Sequence, residues 1–227
     1  MSQNSETILS VNNLKTYFYT NNRCNKAVNG VSFKAKKRKT LCIIGESGCG
    51  KSVTASSIMQ LLPKLARIED GEITYHGKNG VVRIDQFERN CKEMRDLRGA
   101  DIAMIFQDPM TALNPVYSIG FQIGENLKRH TDLSKKEVKQ KTIDLLREMG
   151  IPLPEQRVNE YPHQFSGGMR QRAMIAMAMA CNPKVLIADE PTTALDVTIQ
   201  AQIFELMEKL KLEHDTAIIL ITHDMGV

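Results

Sequence analysis

Eight consecutive residues, GESGCGKS from Gly45 to Ser52, fit the phosphate-cradling pattern of Gly, four variable residues, then Gly-Lys-Ser. Gly45, Gly48 and Gly50 let the backbone turn tightly and aim its N–H groups at phosphates, while Glu46, Ser47 and Cys49 complete the loop. Lys51 supplies a point charge to β and γ phosphates, and the Ser52 hydroxyl can ligate Mg²⁺. A second feature is VLIADE: four apolar residues bury a strand, and Asp189 emerges at its C-terminal end, where open α/β sheets place their ligands. A carboxylate there can hold a magnesium shell. Glu190 beside it can orient and polarise an attacking water. A third is FSGGMRQR, Phe165 to Arg172, in which Ser166, Gly167 and Gly168 stand at the start of a helix-forming run, suited to an anion such as a γ-phosphate. The chain thus carries two phosphate-binding devices and one set of catalytic parts.

The elements that must position these groups are legible in outline. ILSVNNLKTYFYT and KAVNGVSFKA read as strands, and TLCIIG as a buried strand ending in glycine, with the helix SVTASSIMQLLP after the loop and a stop at Pro63. GEITYHG and VVRI read as a strand pair, ERNCKEMRDLRG as a polar helix and DIAMIFQ as another buried strand. Between Pro109 and Phe165 the character turns helical, with a capping box from Ser134 to Glu137 and Pro152, Pro154 and Pro162 at the exit. SGGMRQRAMIAMAMAC is a helix whose methionines read as core filling, KVLIADE a buried strand, VTIQAQIFELMEKLKLEHD a long helix capped by Asp196, and TAIILITHD a last buried strand. Strands alternating with helices indicate an α/β fold with a mainly parallel sheet and a helical insertion.

Bulk properties narrow the classes. No apolar run approaches the roughly 20 residues that cross a bilayer, and MSQNSETILS lacks the basic and apolar regions of a secretory signal, so a cytosolic protein is expected. The net charge of +4 is mild, the basic run KAKKRK reads as a solvated turn between strands, and the absence of Trp argues against base-stacking platforms. The five cysteines show no CxxC spacing, which indicates neither a disulfide framework nor zinc, and they are expected to be reduced and mostly buried. His163 reads as a loop-packing residue.

Four further features choose among nucleotide-processing classes: Gln107 ending a strand, FSGGMRQR after the insertion, Asp196 in TTALD, and His223 ending the strand AIILITH. In this order on a phosphate-loop scaffold the chain resembles an ATP-binding cassette, the motor of ABC transporters, over essentially its whole length. The wording QDPMTALNP, YPHQFSGG and GESGCGKSVT is similar to the oligopeptide and dipeptide importer branch, which includes nickel importers. Phe165 and Met169 stand where the general signature LSGGQ has Leu and Gln, as is common in that branch.

The resemblance implies a single ABC ATPase domain over 1–227, with 1–107 and 166–227 as catalytic core and 108–165 as helical subdomain, and with antiparallel strands at the N-terminus. It implies ATP and Mg²⁺ as cofactors, with phosphates on Lys51 and the backbone from Ser47 to Val53, and Mg²⁺ among Ser52, Gln107 and Asp189. Glu190 resembles the catalytic base, His223 the switch that contacts the γ-phosphate, and Asp196 the loop that speaks across a dimer. Adenine is implied to stack on Phe18, with Tyr17 and Tyr19 as neighbours able to replace it. Two cassettes, identical or sister subunits, pack head to tail so that the loop of one and Ser166–Gly168 of the other sandwich each ATP, which answers why two phosphate devices share one chain.

The implied partners are a second ABC ATPase subunit, integral membrane permease subunits docking on Leu113, Val116, Ile119, Phe121 and Ile123, and indirectly a substrate-binding protein. No nucleic acid is implied, and the place is the cytoplasmic face of the cell membrane. The chain stops soon after His223 where family members continue, so it reads as truncated there. The competing readings are a nickel or other small-solute importer ATPase and a soluble cassette without transport. Against the DNA-repair type of soluble cassette, the interval between loop and acidic strand is too short for a long coiled coil and shows no heptads.

Overall fold

A computed structural model describes residues 6–20, 23–77, 80–193 and 195–223. The opening residues 1–5, Ala194 within TTALD, and the stretch 224–227 after His223 lie outside the described residues.

The chain begins with long antiparallel strands, β1 (Thr7–Thr20) and β2 (Arg23–Lys36). The basic run covers the end of β2 (Lys34–Lys36) and the turn after it, where Lys37 and Arg38 both pair with Asp215, so only its second half is the expected turn. Strand β3 (Thr40–Ile44) leads through the phosphate loop into helix α1 (Lys51–Ile58). This helix ends well short of Pro63, because Gln60 takes a left-handed φ of 49° and turns the chain away. Strands β4 (Ala66–Gly77) and β5 (Gly80–Arg83) then join the first two in an antiparallel sheet of order β2-β1-β4-β5. Helix α2 (Lys92–Leu97) follows, and then β6 (Ile102–Ile105), which stops before Gln107 because Phe106 already leaves the sheet into solvent.

The segment after β6 is helical: α3 (Pro109–Ala112), α4 (Ile119–His130), α5 (Lys135–Glu148) and α6 (Pro154–Arg157). Ser134 and Glu137 form the expected capping box at the start of α5. Helix α7 (Gly167–Met179), strand β7 (Val185–Asp189), helix α8 (Val197–Glu213) and strand β8 (Ala217–Thr222) complete the described chain. The second sheet has order β3-β8-β7-β6 and its pairings are all parallel.

Both faces of β6, β7 and β8 are covered, which explains why these strands read as unbroken apolar runs rather than alternating ones, whereas the edge strand β3 leaves Cys42 and Ile44 exposed. Successive side chains point to opposite faces. Along β7, Val185 and Ile187 join the core beneath the antiparallel sheet, with Leu9, Leu14, Ile58 and Ile73. Leu186 and Ala188 join the other core, with Leu146, Met174, Ile175 and Ile203 from the helices. Each such fully buried Val, Leu, Ile or Met side chain contributes about 1.5–3 kcal/mol of transfer free energy. The Met-rich run of α7 lies here, with Met174 and Met179 buried, so it fills core as expected.

Two expectations need correction. Cys24, Cys42 and Cys49 are exposed, and Cys91 and Cys181 are only partly covered. Cys49 sits in the phosphate loop, and Cys42 on β3, an edge strand of the parallel sheet. Of the apolar residues expected to dock a partner, Leu113, Ile119 and Ile123 are spent on the core around α4 and α7. Val116 and Phe121 remain exposed, as do Met110 and Tyr117.

Candidate active site

All four strands of the parallel sheet point their C-terminal ends the same way, so the segments following β3, β6, β7 and β8 converge along one edge. Those segments carry the phosphate loop, Gln107, Asp189–Glu190 and His223 respectively. A cleft of about 610 Å³ opens there, lined by Phe18, Asn25, Ala27, Ser47, Gly48, Gly50, Lys51, Ser52, Val53, Gln107, Glu190, Thr193 and His223. That volume falls within the range of small-molecule sites.

The loop geometry is forced locally. Gly50 has φ 97°, and a Cβ built there would lie 2.2 Å from the Ala27 carbonyl oxygen, so only glycine allows β2 to approach the loop this closely. Lys51 is buried at 7% exposure and its Nζ donates to the carbonyls of Gly45 (2.7 Å) and Glu46 (2.8 Å). Lys51 also opens α1, so its ammonium and the helix N-terminus place positive charge on the same side of the cleft.

Asp189 is buried at the end of β7 and accepts a hydrogen bond of 3.0 Å from Ser52 Oγ. Burial pushes its carboxyl above the ordinary value of 3.8; the Ser52 hydrogen bond opposes this and the nearby Glu190 carboxylate adds to it. The native state therefore holds this proton more tightly than the unfolded chain, and stability is lost as pH rises through the folded value. Asp189→Asn keeps an oxygen for Ser52 but removes the charge. It is expected to raise the melting temperature of nucleotide-free protein at neutral pH, with the gain shrinking as pH falls towards 3.8. Melting curves at neutral and acid pH check this, and a lower neutral melting temperature in the variant would contradict it.

These groups fit a hard divalent cation. Ser52 Oγ and Asp189 Oδ1 are both oxygen donors and lie 3.0 Å apart. Adjacent ligands on an octahedral Mg²⁺ at about 2.05 Å are themselves separated by roughly 2.9 Å. A buried carboxylate that desolvation disfavours is also the group a cation would relieve.

Glu190 follows directly with φ 47°, in the left-handed region that a non-glycine residue rarely adopts. Its N–H donates to Ile221 O (2.9 Å), which ties the strained turn to β8. One carboxylate oxygen, Oε2, accepts from Gln107 Nε2 (2.9 Å) and Thr193 Oγ1 (3.2 Å). The other, Oε1, faces His223 Nδ1 at 3.2 Å. A carboxylate so held can act as a general base on a water in the cleft.

The three aromatics of β1 are told apart by their partners. Tyr17 donates its hydroxyl to Asn29 (3.0 Å) and Tyr19 donates to Glu69 (2.7 Å), leaving Phe18 to line the cleft. The signature lies elsewhere. Ser166 caps α7 by accepting from Met169 N–H (3.3 Å), and Gly167 lines a separate hollow with Arg170, Leu195 and Thr193. A Cβ on Gly168 would lie 3.1 Å from Ile199 Cγ2, so the glycine lets α7 lie close against α8. Asp196 accepts from Ile199 N–H (3.0 Å) and caps α8. The fold thus gathers Phe18, the loop, Gln107, Glu190 and His223 at the cleft, with Asp189 buried and bonded to Ser52, and leaves Ser166–Gly168 and Asp196 outside it. Asn25 and Ala27 line the cleft without any motif that marks them, and Thr193 lines it as a residue of TTALD to which the sequence assigned no role.

The family model described as "ABC transporter" matches residues 28–193, most of the chain and of the site. The chain belongs to the ABC transporter family. Among curated proteins, this cassette is 55% identical over 223 residues to the dipeptide transport ATP-binding protein DppD of Bacillus subtilis (strain 168), covering 98% of the chain and 65% of that protein. It is 53% identical over 221 residues to the oligopeptide transport ATP-binding protein OppD of the same organism, covering 97% of the chain and 60% of OppD. The cassette therefore spans about two thirds or less of the length of these relatives. Among solved structures it is similar to the ATP-binding cassette MJ0796 in a dimeric post-hydrolysis state bound to ADP and Pi, with TM-score 0.82 and 26% identity, covering 96% of this chain and 89% of that one. These matches bear out the ABC-type α/β fold.

Proposed function

We propose that this chain is the ATP-binding and ATP-hydrolysing subunit of an ABC importer for di- or oligopeptides, working at the cytoplasmic face of the membrane. The observation that carries the reading is the cleft in which Lys51, Ser52, Glu190, Gln107 and His223 meet, with Asp189 bonded to Ser52, while Ser166–Gly168 stay outside it. Half of each nucleotide site is then supplied by a second copy or a sister cassette, and the dimer of MJ0796 with ADP and Pi supports that reading by similarity.

In this reading Phe18 stacks adenine, and Lys51 with the N–H groups from Ser47 to Val53 neutralises the phosphates. Ser52, Asp189 and Gln107 would hold Mg²⁺, which when bound neutralises charge on the β and γ phosphates. Glu190 takes the proton of the attacking water on its carboxylate. His223, whose side chain is 60% exposed beside Glu190, orients the γ-phosphate from the solvent side. The signature of the partner closes the cleft, Asp196 answers across the interface, and loss of the γ-phosphate removes the contacts that hold the two together.

The membrane side of the reading rests on the exposed apolar residues Met110, Val116, Tyr117 and Phe121 of the insertion, of which Tyr117 and Phe121 stack at 4.7 Å. They suit an apolar helix end of a permease subunit, with a peptide-binding protein acting through that permease. Among the described residues no helix is long and apolar enough to cross a membrane. The test is ATPase activity of the chain with and without its permease in liposomes, and with DNA or RNA in place of permease. Stimulation by permease alone is expected. Stimulation by nucleic acid alone would sink the transport reading.

A further inference from the structure

The carboxylate of Glu190 is gripped from three directions, and one of its holders, Thr193, is a residue of TTALD other than the capping Asp196. Thr193 lies three residues along the same turn, where its N–H donates to the Glu190 carbonyl (3.2 Å) and its hydroxyl donates to Oε2 (3.2 Å). The turn is itself anchored: Gln200 of α8 donates its side-chain amide to Thr192 O (3.3 Å) and Leu195 O (3.0 Å). Thr193 also lines both the nucleotide cleft and the hollow that holds Gly167 and Arg170, so it stands in the wall between the two.

The other two holders have competing duties. Gln107 Nε2 shares Oε2 with Thr193, but Gln107 lies on the segment joining β6 to the helical insertion, so it follows any movement of that insertion. His223 is largely exposed and contacts only Oε1. Thr193 alone is fixed to the same short turn as the carboxylate it holds. The backbone at Glu190 is strained, and strained residues persist only where their surroundings over-determine them.

We propose that Thr193 is a positioning residue for hydrolysis: its hydroxyl keeps the Glu190 carboxylate aimed into the cleft while Gln107 and His223 move with nucleotide. The proposal rests on the ATPase reading above. It adds a residue that acts through the base.

The experiment uses Thr193→Val, nearly isosteric but without the hydroxyl, and Thr193→Ser, which restores it. Steady-state ATPase and titration with a fluorescent ATP analogue are measured on the full chain. Thr193→Val is expected to lower kcat by about tenfold, the effect of one hydrogen bond to a charged group, with KM and analogue affinity unchanged. Thr193→Ser is expected to recover most of the rate. In a Glu190→Gln background, Thr193→Val should cause no further fall in single-turnover rate, because the group it positions is gone. A normal kcat in Thr193→Val overturns the proposal. So does a rate loss that Ser fails to rescue, or one accompanied by lost nucleotide affinity, since either marks a structural role. If wild-type chain binds nucleotide but does not hydrolyse it under any partner condition, the ATPase reading itself falls, and the two failures are thereby told apart.

Discussion

Glu190→Gln is expected to lower ATP turnover by about 10²- to 10⁴-fold, the range for removing a general base, while nucleotide affinity stays near that of wild type. The reason lies in the contacts. Gln keeps an oxygen able to accept from Gln107 Nε2 and Thr193 Oγ1, so the turn at φ 47° retains its side-chain anchors. Its N–H still reaches Ile221 O. What is lost is the basic oxygen pair, which no other carboxylate lining the cleft replaces among the described residues, while the buried Asp189 is engaged by Ser52. Rate and affinity are measured separately, by phosphate release and by titration with a fluorescent ATP analogue. Near wild-type turnover in the variant would remove Glu190 from its role.

Lys51→Ala is expected to weaken ATP binding instead. The ammonium is buried and donates to two loop carbonyls, so it is already desolvated and held at the mouth of α1. Its interaction with a phosphate then resembles one or two charge-assisted hydrogen bonds at about 1.5–3 kcal/mol each, or roughly 10- to 100-fold in affinity for each. The same titration checks it, with ADP as the second ligand. A smaller loss for ADP than for ATP is expected if the lysine reaches the terminal phosphate. Equal affinity for ATP in variant and wild type would contradict the placement.

The parts of the site that were legible in the sequence are those whose chemistry is contiguous. GESGCGKS carries its turn, charge and hydroxyl in eight adjacent residues, and Ser134, Ser166 and Asp196 announce helix starts through the residue they cap. The parallel sheet was legible because burial on both faces makes strands such as VLIAD continuously apolar. What was not legible depends on approach in space. Phe18 could not be chosen over Tyr17 and Tyr19 by alternation, because β1 changes register against β2 between Thr16 and Tyr17; their separate hydrogen-bond partners decide it. Thr193 and Asn25 are ordinary residues until the turn after β7 and the pairing of Phe18 with Asn25 bring them to the cleft. In the insertion, apolar content alone could not divide Leu113, Ile119 and Ile123, which are buried in the core, from Val116 and Phe121, which face solvent. The exposed cysteines have the same origin: Cys49 is carried by a loop and Cys42 by an edge strand.

The central claim is that one chain holds only complementary halves of the nucleotide site, the cleft on one side and Ser166–Gly168 on another. The direct measurement is ATPase rate per chain against protein concentration, with oligomeric state followed by sedimentation under the same conditions. The account predicts a rate per chain that falls on dilution as dimers part, and that collapses when Ser166→Glu places a carboxylate where a γ-phosphate must sit. A constant rate per chain in strictly monomeric protein, untouched by Ser166→Glu, would contradict it.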